Sequence, residues 1–351
     1  MTSRTAEGPA TTVVIPHYRA DTLDECLASL HEHSDRPVRI IVVDDGDEGP
    51  SLRQARDRYP DVEFLRNERR LGFTGSCNRG LEAAQTPFVL LLNDDTRVTP
   101  GWLAPLEEAV TEAEDVAVCQ PKLLSVARPG SFDYSGGAGG YIDRLGYTFC
   151  RGRLFDSVEE DAGQYDKRVG LFWACGSAMF LRRDAVSQVG PLDLDYFMHF
   201  EEIDLCWRLR LAGWRVVAVP QSTIYHHAAQ SLPPDTFRKV YLNHRNNLVA
   251  LIKNLPVKRL LWLLPLRLPL ELLACVLYVS RARPLCALAP VAGLAWIAAH
   301  PMSLWRRRRT SRRLAVDRGD GGDEGVFPGS ALLHYHLFRR RTALALMGEA
   351  E

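Results

Sequence analysis

The sequence predicts an α/β fold with a mostly parallel central sheet, and three observations support this prediction. Short β-branched runs alternate with amphipathic stretches between residues 11 and 113, as in βαβ units with right-handed crossovers. Polar or glycine residues follow each run, at the carboxyl ends of strands where such sheets bind ligands. With 351 residues, 46% hydrophobic and 25% charged, the chain can form one large domain plus an appendage.

The first part of the chain contains four predicted strands separated by three predicted helices. The strands are Val13–Pro16, Val38–Val43, Val62–Leu65 and Phe88–Leu92. The helices are Thr22–His33, Leu52–Tyr59 and Thr74–Ala84. Neither a Gly-x-Gly-x-x-Gly motif nor a Walker-type lysine loop follows the first strand, so dehydrogenase and P-loop functions lose their main support.

The middle section, residues 116–220, is less regular. Glycine-rich stretches predict loops at Asp133–Tyr141 and Gly152–Tyr165. The spacing of apolar residues predicts a helix over Phe200–Leu211. A strand is expected over Trp214–Val219, closed by Pro220.

The C-terminal region combines apolar stretches with basic charge. Leu260–Ser280 and Leu285–His300 are strongly apolar, and Arg306–Arg309 follow. Residues 251–313 contain twelve Lys or Arg and one acid, so this region carries +11 in a chain whose formal net charge is zero. We interpret it as facing a membrane surface.

A simple membrane span would be costly for this region. Arg267 and Glu271 place two charges in the longer apolar stretch, and Pro265 and Pro269 interrupt it. We therefore expect helices that lie in the membrane interface or form a shallow hairpin. The predicted divisions are a disordered N-terminus, a ligand-binding domain, membrane-associated helices and a C-terminal tail: residues 1–10, 11–254, 255–310 and 311–351.

Cysteine usage points to a reducing compartment. The eight cysteines are scattered without a Cys-x-x-Cys pair, which disfavours a zinc site or a disulfide scaffold. Met1–Thr12 is polar and has no secretory signal pattern. Together with the basic region, this predicts a location at the cytoplasmic face of the cell membrane, and nothing indicates a nucleic acid partner.

Asp94 and Asp95 directly follow the predicted strand Phe88–Leu92. Two adjacent carboxylates oppose each other's ionisation unless a cation or hydrogen-bond donors lie between them and a ligand. A divalent cation with a diphosphate would satisfy both. A surface turn or helix N-cap explains the pair equally well when it is considered alone.

Further polar groups lie at other predicted strand ends. Asp44, Asp45 and Gly46 end the second strand, where the carboxylates can accept hydrogen bonds from a ribose or base edge. Tyr18 follows the first strand and could stack on that base. Each is common in turns, so their shared position on one sheet edge is what favours a binding site.

Acids also enter the helix predicted over Phe200–Leu211. Glu201, Glu202 and Asp204 could simply complement the helix dipole. Their apolar neighbours could instead raise the pKa of a carboxylate, as a general base requires. His226 and His227 follow the next strand and are either structural or ligands of the cation near Asp95.

Taken in order, these motifs make the chain similar to a known family. They are VVIPHY at Val13–Tyr18, VVDDG at Val42–Gly46, RNERRLGFTGSCNRGLEAA at Arg66–Ala84, LLLNDDT at Leu90–Thr96, YFMHFEEIDLCWRLRLAGWRV at Tyr196–Val216, YHHAAQS at Tyr225–Ser231 and RNN at Arg245–Asn247. The sequence resembles the family 2 glycosyltransferases of GT-A fold, in the rhamnosyltransferase-like branch that builds bacterial surface polysaccharides. The resemblance covers residues 11–254.

The resemblance implies a role for each matching residue. Those implied to bind the nucleotide are Pro16, Tyr18, Asp45, Asn78 and Asp94, and those implied to hold Mg²⁺ or Mn²⁺ are Asp95 and His226. Glu202 would be the catalytic base, with Asp204 and Arg208 supporting its helix. Glu201 is the alternative base, and His227 the alternative to His226.

The implied reaction is an inverting, metal-dependent sugar transfer. The donor would be a dTDP-, UDP- or GDP-linked sugar, with rhamnose as one guess, and the acceptor a glycan or a polyprenyl-linked glycan. Two alternatives stay open. A nucleotidyltransferase would also place acids on such a sheet, but it would be expected to have a glycine-rich basic loop after the first strand, where this chain has none. A catalytically inactive membrane scaffold would not need the acids that this chain retains.

Overall fold

The computed structural model describes residues 8–46, 49–227, 236–316 and 324–347, and it confirms the predicted α/β fold. Every strand and helix predicted before residue 93 is present, with ends shifted by no more than a few residues. These elements are β1 Thr11–His17, α1 Leu23–His33, β2 Val38–Asp44, α2 Pro50–Arg58, β3 Glu63–Arg66, α3 Gly72–Ala83 and β4 Phe88–Leu92.

The rest of the ligand-binding domain is a mixture of short strands and helices. It comprises β5 Thr96–Val98, α4 Ala104–Glu112, β6 Val116–Ser125, β7 Gly140–Asp143, β8 Thr148–Cys150, β9 Arg153–Leu154, β10 Ser157–Val158, β11 Gly170–Leu171, β12 Ala178–Arg182, α5 Arg183–Val189, a 3-10 turn at Leu194–Tyr196, α6 Glu201–Leu211 and β13 Arg215–His226. The elements after it are α7 Phe237–Asn254, α8 Val257–Ser280, α9 Pro284–Ala299, α10 Pro301–Arg312, β14 Val326–Phe327, α11 Ala331–His336 and α12 Ala343–Met347.

The main sheet is parallel in one half and mixed in the other. Strands run in the order β11-β13-β6-β12-β4-β1-β2-β3, with β5 paired to β13. β4, β1, β2 and β3 are parallel, and β12 is antiparallel to both of its neighbours. The expectation of a mostly parallel sheet therefore describes only the half built from the first 92 residues.

Two predictions for the middle section need correction. β13 does not end at Pro220, because its pairing with β6 shifts register between Val219 and Thr223 and then continues to His226. A bulge of this kind accommodates a proline that cannot donate to the ladder. The loops predicted after Asp133 instead contribute to a second sheet, with strand order β10-β9-β8-β7-β14.

The C-terminal segment is not a free tail, contrary to the prediction for residues 311–351. Val326 and Phe327 pair with β7, and Tyr335 and Leu346 join the main hydrophobic core. The short backbone pairing and this burial fix the segment against the ligand-binding domain. Residues 317–323 and 348–351, and residues 1–7 of the predicted disordered N-terminus, lie outside the described residues.

In helix α8 two charged side chains are buried and many apolar side chains are exposed, which is the reverse of the usual arrangement. Arg267 and Glu271 are 2% and 1% exposed, whereas Leu261 is 72% and Val276 63% exposed. Within the described ranges, α8 is the helix long and apolar enough to cross a membrane, and α9 and α10, bent by 80°, would form a second such segment only if taken together. The charges that make a span costly thus face the protein, and the leucines face outward.

Candidate active site

A cavity of about 610 Å³ opens at the carboxyl ends of the parallel strands. Its walls come from the strand ends, the start of α6, the second sheet and helices α7 and α8. Predicted site residues in its lining are Pro16, Tyr18, Asp45, Asp94, Asp95, Glu201, Glu202 and His226. The fold therefore brings together most of the residues that the sequence singled out.

Asp45 connects the sheet edge to helix α3. Its carboxylate accepts hydrogen bonds from the backbone nitrogens of Leu71 at 2.7 Å and Gly72 at 2.9 Å, and from Asn67 Nδ2 at 3.0 Å. Tyr18 lies beside it, with the Arg70 guanidinium 3.9 Å from its ring centroid. These contacts hold an acidic group and an aromatic face in one wall of the cavity.

Gly72 allows two parts of the site to approach closely. It has a φ of +74°, and a Cβ at this position would lie 2.8 Å from the Phe197 ring. Only glycine fits such a conformation and contact without strain. Helix α3 and the segment that precedes α6 are therefore held in direct contact.

The strand-end acids each face a histidine. Asp94 Oδ2 lies 2.7 Å from His17 Nδ1, and Asp95 Oδ1 lies 3.0 Å from His226 Nε2. Burial raises the pKa of Asp94 despite His17. Burial would also raise the pKa of Asp95, but His226 holds that pKa below its usual value.

His226 reaches Asp95 because β13 pairs with β5, where His226 lies opposite Thr96. Its other ring nitrogen, Nδ1, lies 3.1 Å from Asp133 Oδ1. Burial alone would lower the pKa of His226, but the Asp133 and Asp95 carboxylates raise it to about 10. His227 points elsewhere, with Nε2 3.2 Å from Glu25 Oε2, so the structure places His226 and not His227 in the cavity.

Asp95 and His226 have the donor chemistry that Mg²⁺ or Mn²⁺ accepts. Asp95 is buried and keeps its negative charge beside His226, and the carboxylates that raise the pKa of His226 would also favour a metal cation. No group of three or more His, Cys, Asp or Glu in the described ranges has the arrangement of a metal site. Two protein ligands nevertheless suit a divalent cation whose other ligands come from a diphosphate and water.

Glu201 and Glu202 both line the cavity at the start of α6. One oxygen of each, Oε2, is buried and has no hydrogen-bond partner in the residues described. Burial, together with the neighbouring Glu202, raises the pKa of Glu201 well above its usual value. Burial raises the pKa of Glu202 to about 7. Glu201 is 4% exposed, and Glu202 is partly exposed.

Asp204 and Asn78 lie outside the cavity lining. Asp204 accepts hydrogen bonds from Arg208 Nε and Lys253 Nζ, each at 2.8 Å, and it anchors α6 as the supporting role implies. Asn78 Nδ2 donates to the Leu192 backbone oxygen at 2.8 Å, and its Oδ1 accepts from the Leu192 nitrogen at 3.0 Å. The expectation that Asn78 lines the nucleotide pocket is corrected by this structural role.

The segment Phe197–Phe200 precedes the glutamates in a strained conformation. Phe197, His199 and Phe200 have φ values of +63°, +68° and +74°, a region that costs L-residues free energy. Asn246 Nδ2 donates to the backbone oxygens of Met198 at 3.0 Å and His199 at 2.7 Å. Asn246 belongs to the RNN motif, but its role in holding the segment Phe197–Phe200 could not be predicted from the motif.

Several further residues of the cavity lining were not predicted from the sequence. They are His17, Tyr134, Arg153, Lys239, Asn243 and Tyr278. His17 lies between the predicted residues Pro16 and Tyr18, so its place in that motif could have identified it. Arg153 comes from β9, Lys239 and Asn243 from α7, and Tyr278 from α8, and the local spacing of residues could not predict that these four converge on the cavity.

Comparison with known proteins identifies the family. The model of glycosyl transferase family 2 matches residues 12–190, slightly more than half of the 351 residues. The chain belongs to glycosyl transferase family 2. It is a glycosyltransferase, as the resemblance implied, and it retains the acids that an inactive scaffold would not need.

Relatives of this glycosyltransferase include rhamnosyltransferases. It is 28% identical over 258 residues to the N-acetylglucosaminyl-diphospho-decaprenol L-rhamnosyltransferase of Mycobacterium tuberculosis, covering 68% of this chain and 82% of that protein. It is 26% identical over 223 residues to rhamnosyltransferase WbbL of Escherichia coli, covering 62% and 82%.

Among solved structures, the crystal structure of GalNAc-T7 with UDP, GalNAc and Mn²⁺ aligns with a TM-score of 0.55 at 16% identity. The alignment covers 72% of this chain and 48% of that chain. This likeness shows the shared GT-A fold.

Proposed function

We propose that this glycosyltransferase inverts configuration and uses a divalent cation to move a sugar from a nucleoside diphosphate to a hydroxyl of a lipid-linked glycan. The observation that carries the proposal is the presence of two different acid pairs in one cavity. Asp95 has a lowered pKa, and Glu202 has a pKa of about 7. Asp95 is suited to holding a charge, and Glu202 is suited to proton transfer.

The nucleotide would bind at the strand-end edge. The Tyr18 ring offers a stacking surface for the base, and the Asp45 carboxylate lies within the same wall. Asp94 lines the same cavity, and its carboxylate would accept a hydrogen bond from the ribose. Pro16 lines the cavity beside Tyr18 and would contact the nucleotide there.

Glu202 would remove the proton from the acceptor hydroxyl as that oxygen attacks the anomeric carbon. A carboxylate whose pKa is near 7 is a strong enough base for this step and is about half ionised at neutral pH. Glu201, whose pKa is raised further, would keep its proton and avoid a second buried charge. A single displacement of this kind inverts the configuration, because no carboxylate forms a covalent intermediate.

Asp95 and His226 would hold the cation, either Mg²⁺ or Mn²⁺. When bound, it would neutralise the charge that develops on the departing diphosphate. Asp133 would orient the His226 ring from the opposite side, since its Oδ1 lies 3.1 Å from His226 Nδ1. Such a partner fixes which ring nitrogen is available to a ligand.

The acceptor and location are inferred from the outward apolar face of α8. Its leucines would enter the membrane interface, and Arg281, Arg283, Arg306 and Arg309 would meet anionic head groups at the cytoplasmic face. Arg307 and Arg308 instead contact the protein, at Asp193 and at the Ile252 backbone oxygen. The name of the Mycobacterium tuberculosis relative states that its acceptor is linked to decaprenol. All eight cysteines are free, which agrees with a reducing cytoplasm.

A donor panel tests the reaction. Purified full-length protein is incubated with dTDP-, UDP- and GDP-sugars, with and without Mn²⁺, and nucleoside diphosphate release is measured. We expect release from one nucleotide class, with dTDP-rhamnose as the first choice, only when the cation is present. Equal release with a chelator would contradict the metal-dependent mechanism, and release of sugar 1-phosphate, the leaving group when a nucleoside monophosphate is transferred, would indicate a nucleotidyltransferase.

Sedimentation with membranes tests the location. The full chain should pellet with vesicles that contain anionic lipid, and high salt should release only part of it, because salt screens charge but does not weaken apolar burial. Recovery in the soluble fraction at low salt without detergent would contradict the membrane proposal. The exposed face of α8 would then have to pack against protein.

A further inference from the structure

Arg153 is a cation in the cavity wall without an acidic partner. It donates from Nη1 to the Phe155 backbone oxygen at 3.1 Å and from Nη2 to Cys150 Sγ at 3.6 Å. Its guanidinium carbon lies 4.6 Å from the Tyr134 ring centroid. No carboxylate in the described ranges lies within ion-pair distance, and its buried Nε has no hydrogen-bond partner there. A buried donor without an acceptor is costly, so this position favours an anionic ligand.

Lys239 adds a second positive charge to the same cavity. Burial is the main reason that the pKa of His199 is lowered to about 4, and the nearby Lys239 ammonium lowers it further. One turn further along α7, Asn243 also lines the cavity and donates from Nδ2 to the Lys239 backbone oxygen at 3.0 Å. This wall is therefore cationic and rich in donors.

The cationic wall lies next to α8, the helix whose outer face is apolar. Tyr278, near the end of α8, lines the cavity, and its hydroxyl lies 3.4 Å from His244 Nε2. His244 Nδ1 in turn contacts Glu271, which pairs with Arg267 at 2.7 Å. The buried charges of α8 thus fix the position of Tyr278, while leucines on the same helix remain exposed.

We propose that Arg153, Lys239, Asn243 and Tyr278 form a subsite for the diphosphate of a prenyl-linked acceptor whose hydrocarbon chain lies along the exposed face of α8. The inference rests on the proposed function and specifies its acceptor. Arginine and lysine provide charge-assisted hydrogen bonds to phosphate oxygens, and the apolar face adjoins them. None of the four residues comes from the strand ends that would hold the donor, although the donor's diphosphate is the other source of the same chemistry.

Direct binding measurements distinguish these sources. Farnesyl diphosphate, farnesol, and dTDP or UDP with Mn²⁺ are titrated into full-length protein in detergent. Wild type should bind farnesyl diphosphate more tightly than farnesol. Arg153→Gln and Lys239→Gln should each weaken farnesyl diphosphate binding by about tenfold or more, the loss expected for one charge-assisted hydrogen bond, and leave nucleotide binding unchanged.

Lys258→Gln is the matched control, because Lys258 is an exposed cation on α8 outside the cavity. It should change neither affinity. Lys239 is only partly buried, so its variant keeps the test valid if Arg153→Gln folds poorly. The inference is overturned if the variants weaken nucleotide binding as much as farnesyl diphosphate binding, if they weaken neither, or if wild type binds farnesol equally well.

The outcome also separates this inference from the proposed function. Wild-type binding of farnesyl diphosphate that depends on Arg153 and Lys239 supports the subsite even if the donor panel shows no sugar transfer. Sugar transfer to a soluble glycan without any binding of farnesyl diphosphate would overturn the subsite and leave the glycosyltransferase mechanism intact.

Discussion

The cavity contains two pairs of adjacent acids that look alike in the sequence but have different neighbours in the structure. Asp94 and Asp95 end a strand, and each lies within 3.0 Å of a histidine nitrogen. Glu201 and Glu202 begin a helix, and each has a buried oxygen without a hydrogen-bond partner in the described residues. Burial, the hydrogen-bond and ion-pair partners of a carboxylate and any neighbouring acid therefore decide together whether it holds a charge or accepts a proton.

These surroundings lead to different protonation behaviour. His226 keeps Asp95 ionised, whereas burial favours the protonated forms of Glu201 and Glu202. Asp95 can therefore hold a cation at neutral pH, and Glu202 can accept a proton. Each prediction below removes or alters one side of this division.

Replacing Asp95 should have the largest effect. Asp95→Asn should leave no detectable turnover, because it removes the charge and the buried oxygen proposed to hold the cation. The free energy of unfolding should fall by roughly 1–3 kcal/mol, since His226 loses a charged hydrogen-bond partner. Product release assays and thermal unfolding measure the two effects, and turnover near the wild-type level would disprove the assignment.

Replacing Glu202 should have the next largest effect. Glu202→Gln should lower kcat by about 10² to 10⁴-fold, the range for loss of a general base. The variant should unfold at the wild-type temperature or above it at pH 8, because it removes a buried charge. Glu201→Gln should retain more activity, and the reverse order of the two variants would make Glu201 the base.

The pH dependence of wild-type activity should show the titration of Glu202. A base must be deprotonated, and its pKa is about 7 in the folded protein, so kcat/KM should fall by about tenfold per pH unit well below pH 7. The residual activity of Glu202→Gln should lack this acidic limb. A wild-type profile that stays flat down to pH 5 would argue against a base with this pKa.

Asn246 should have the smallest effect, because it acts only through the segment Phe197–Phe200. Asn246→Ala should lower kcat by roughly tenfold, since loss of buried donors would let the strained backbone relax and shift Glu202. Asn247→Ala is the matched control, because Asn247 donates instead to the Gly146 backbone oxygen at 2.7 Å. Both variants should lose roughly 1–3 kcal/mol of stability, and equal kcat values measured below both melting temperatures would rule out a positioning role.

The sequence predicted the strand-end half of the site well because its signals are local. Asp45 and Asp95 each follow a short apolar strand, and the strand spacing alone places them at one edge of a sheet. Arg153 and Asp133 could not be found in this way, because both lie in stretches predicted to be loops. Arg153 reaches the cavity on β9 of the second sheet, whereas Asp133 lies outside the cavity lining and contacts His226 Nδ1 at 3.1 Å. Both positions depend on contacts between residues distant in the chain.

The C-terminal helices show the same limit. Arg267 and Glu271 looked like obstacles to a membrane span when only the composition was considered. In the structure the two side chains pair with each other on the protein side of α8, and this leaves the outer face apolar. The apolar composition predicted helices here, but which side of α8 faces the protein depends on buried partners such as Asn247 on α7.

Nucleotide binding by the Asp95→Asn and Glu202→Gln variants tests the division between the two acid pairs most directly. The nucleoside diphosphate selected by the donor panel is titrated into each variant by calorimetry, with and without Mn²⁺. We predict that Glu202→Gln binds it with wild-type affinity in the presence of Mn²⁺ although it is almost inactive, and that Asp95→Asn loses the Mn²⁺-dependent part of the affinity. Equal losses of binding in both variants, or Mn²⁺-dependent binding that persists in Asp95→Asn, would contradict the account.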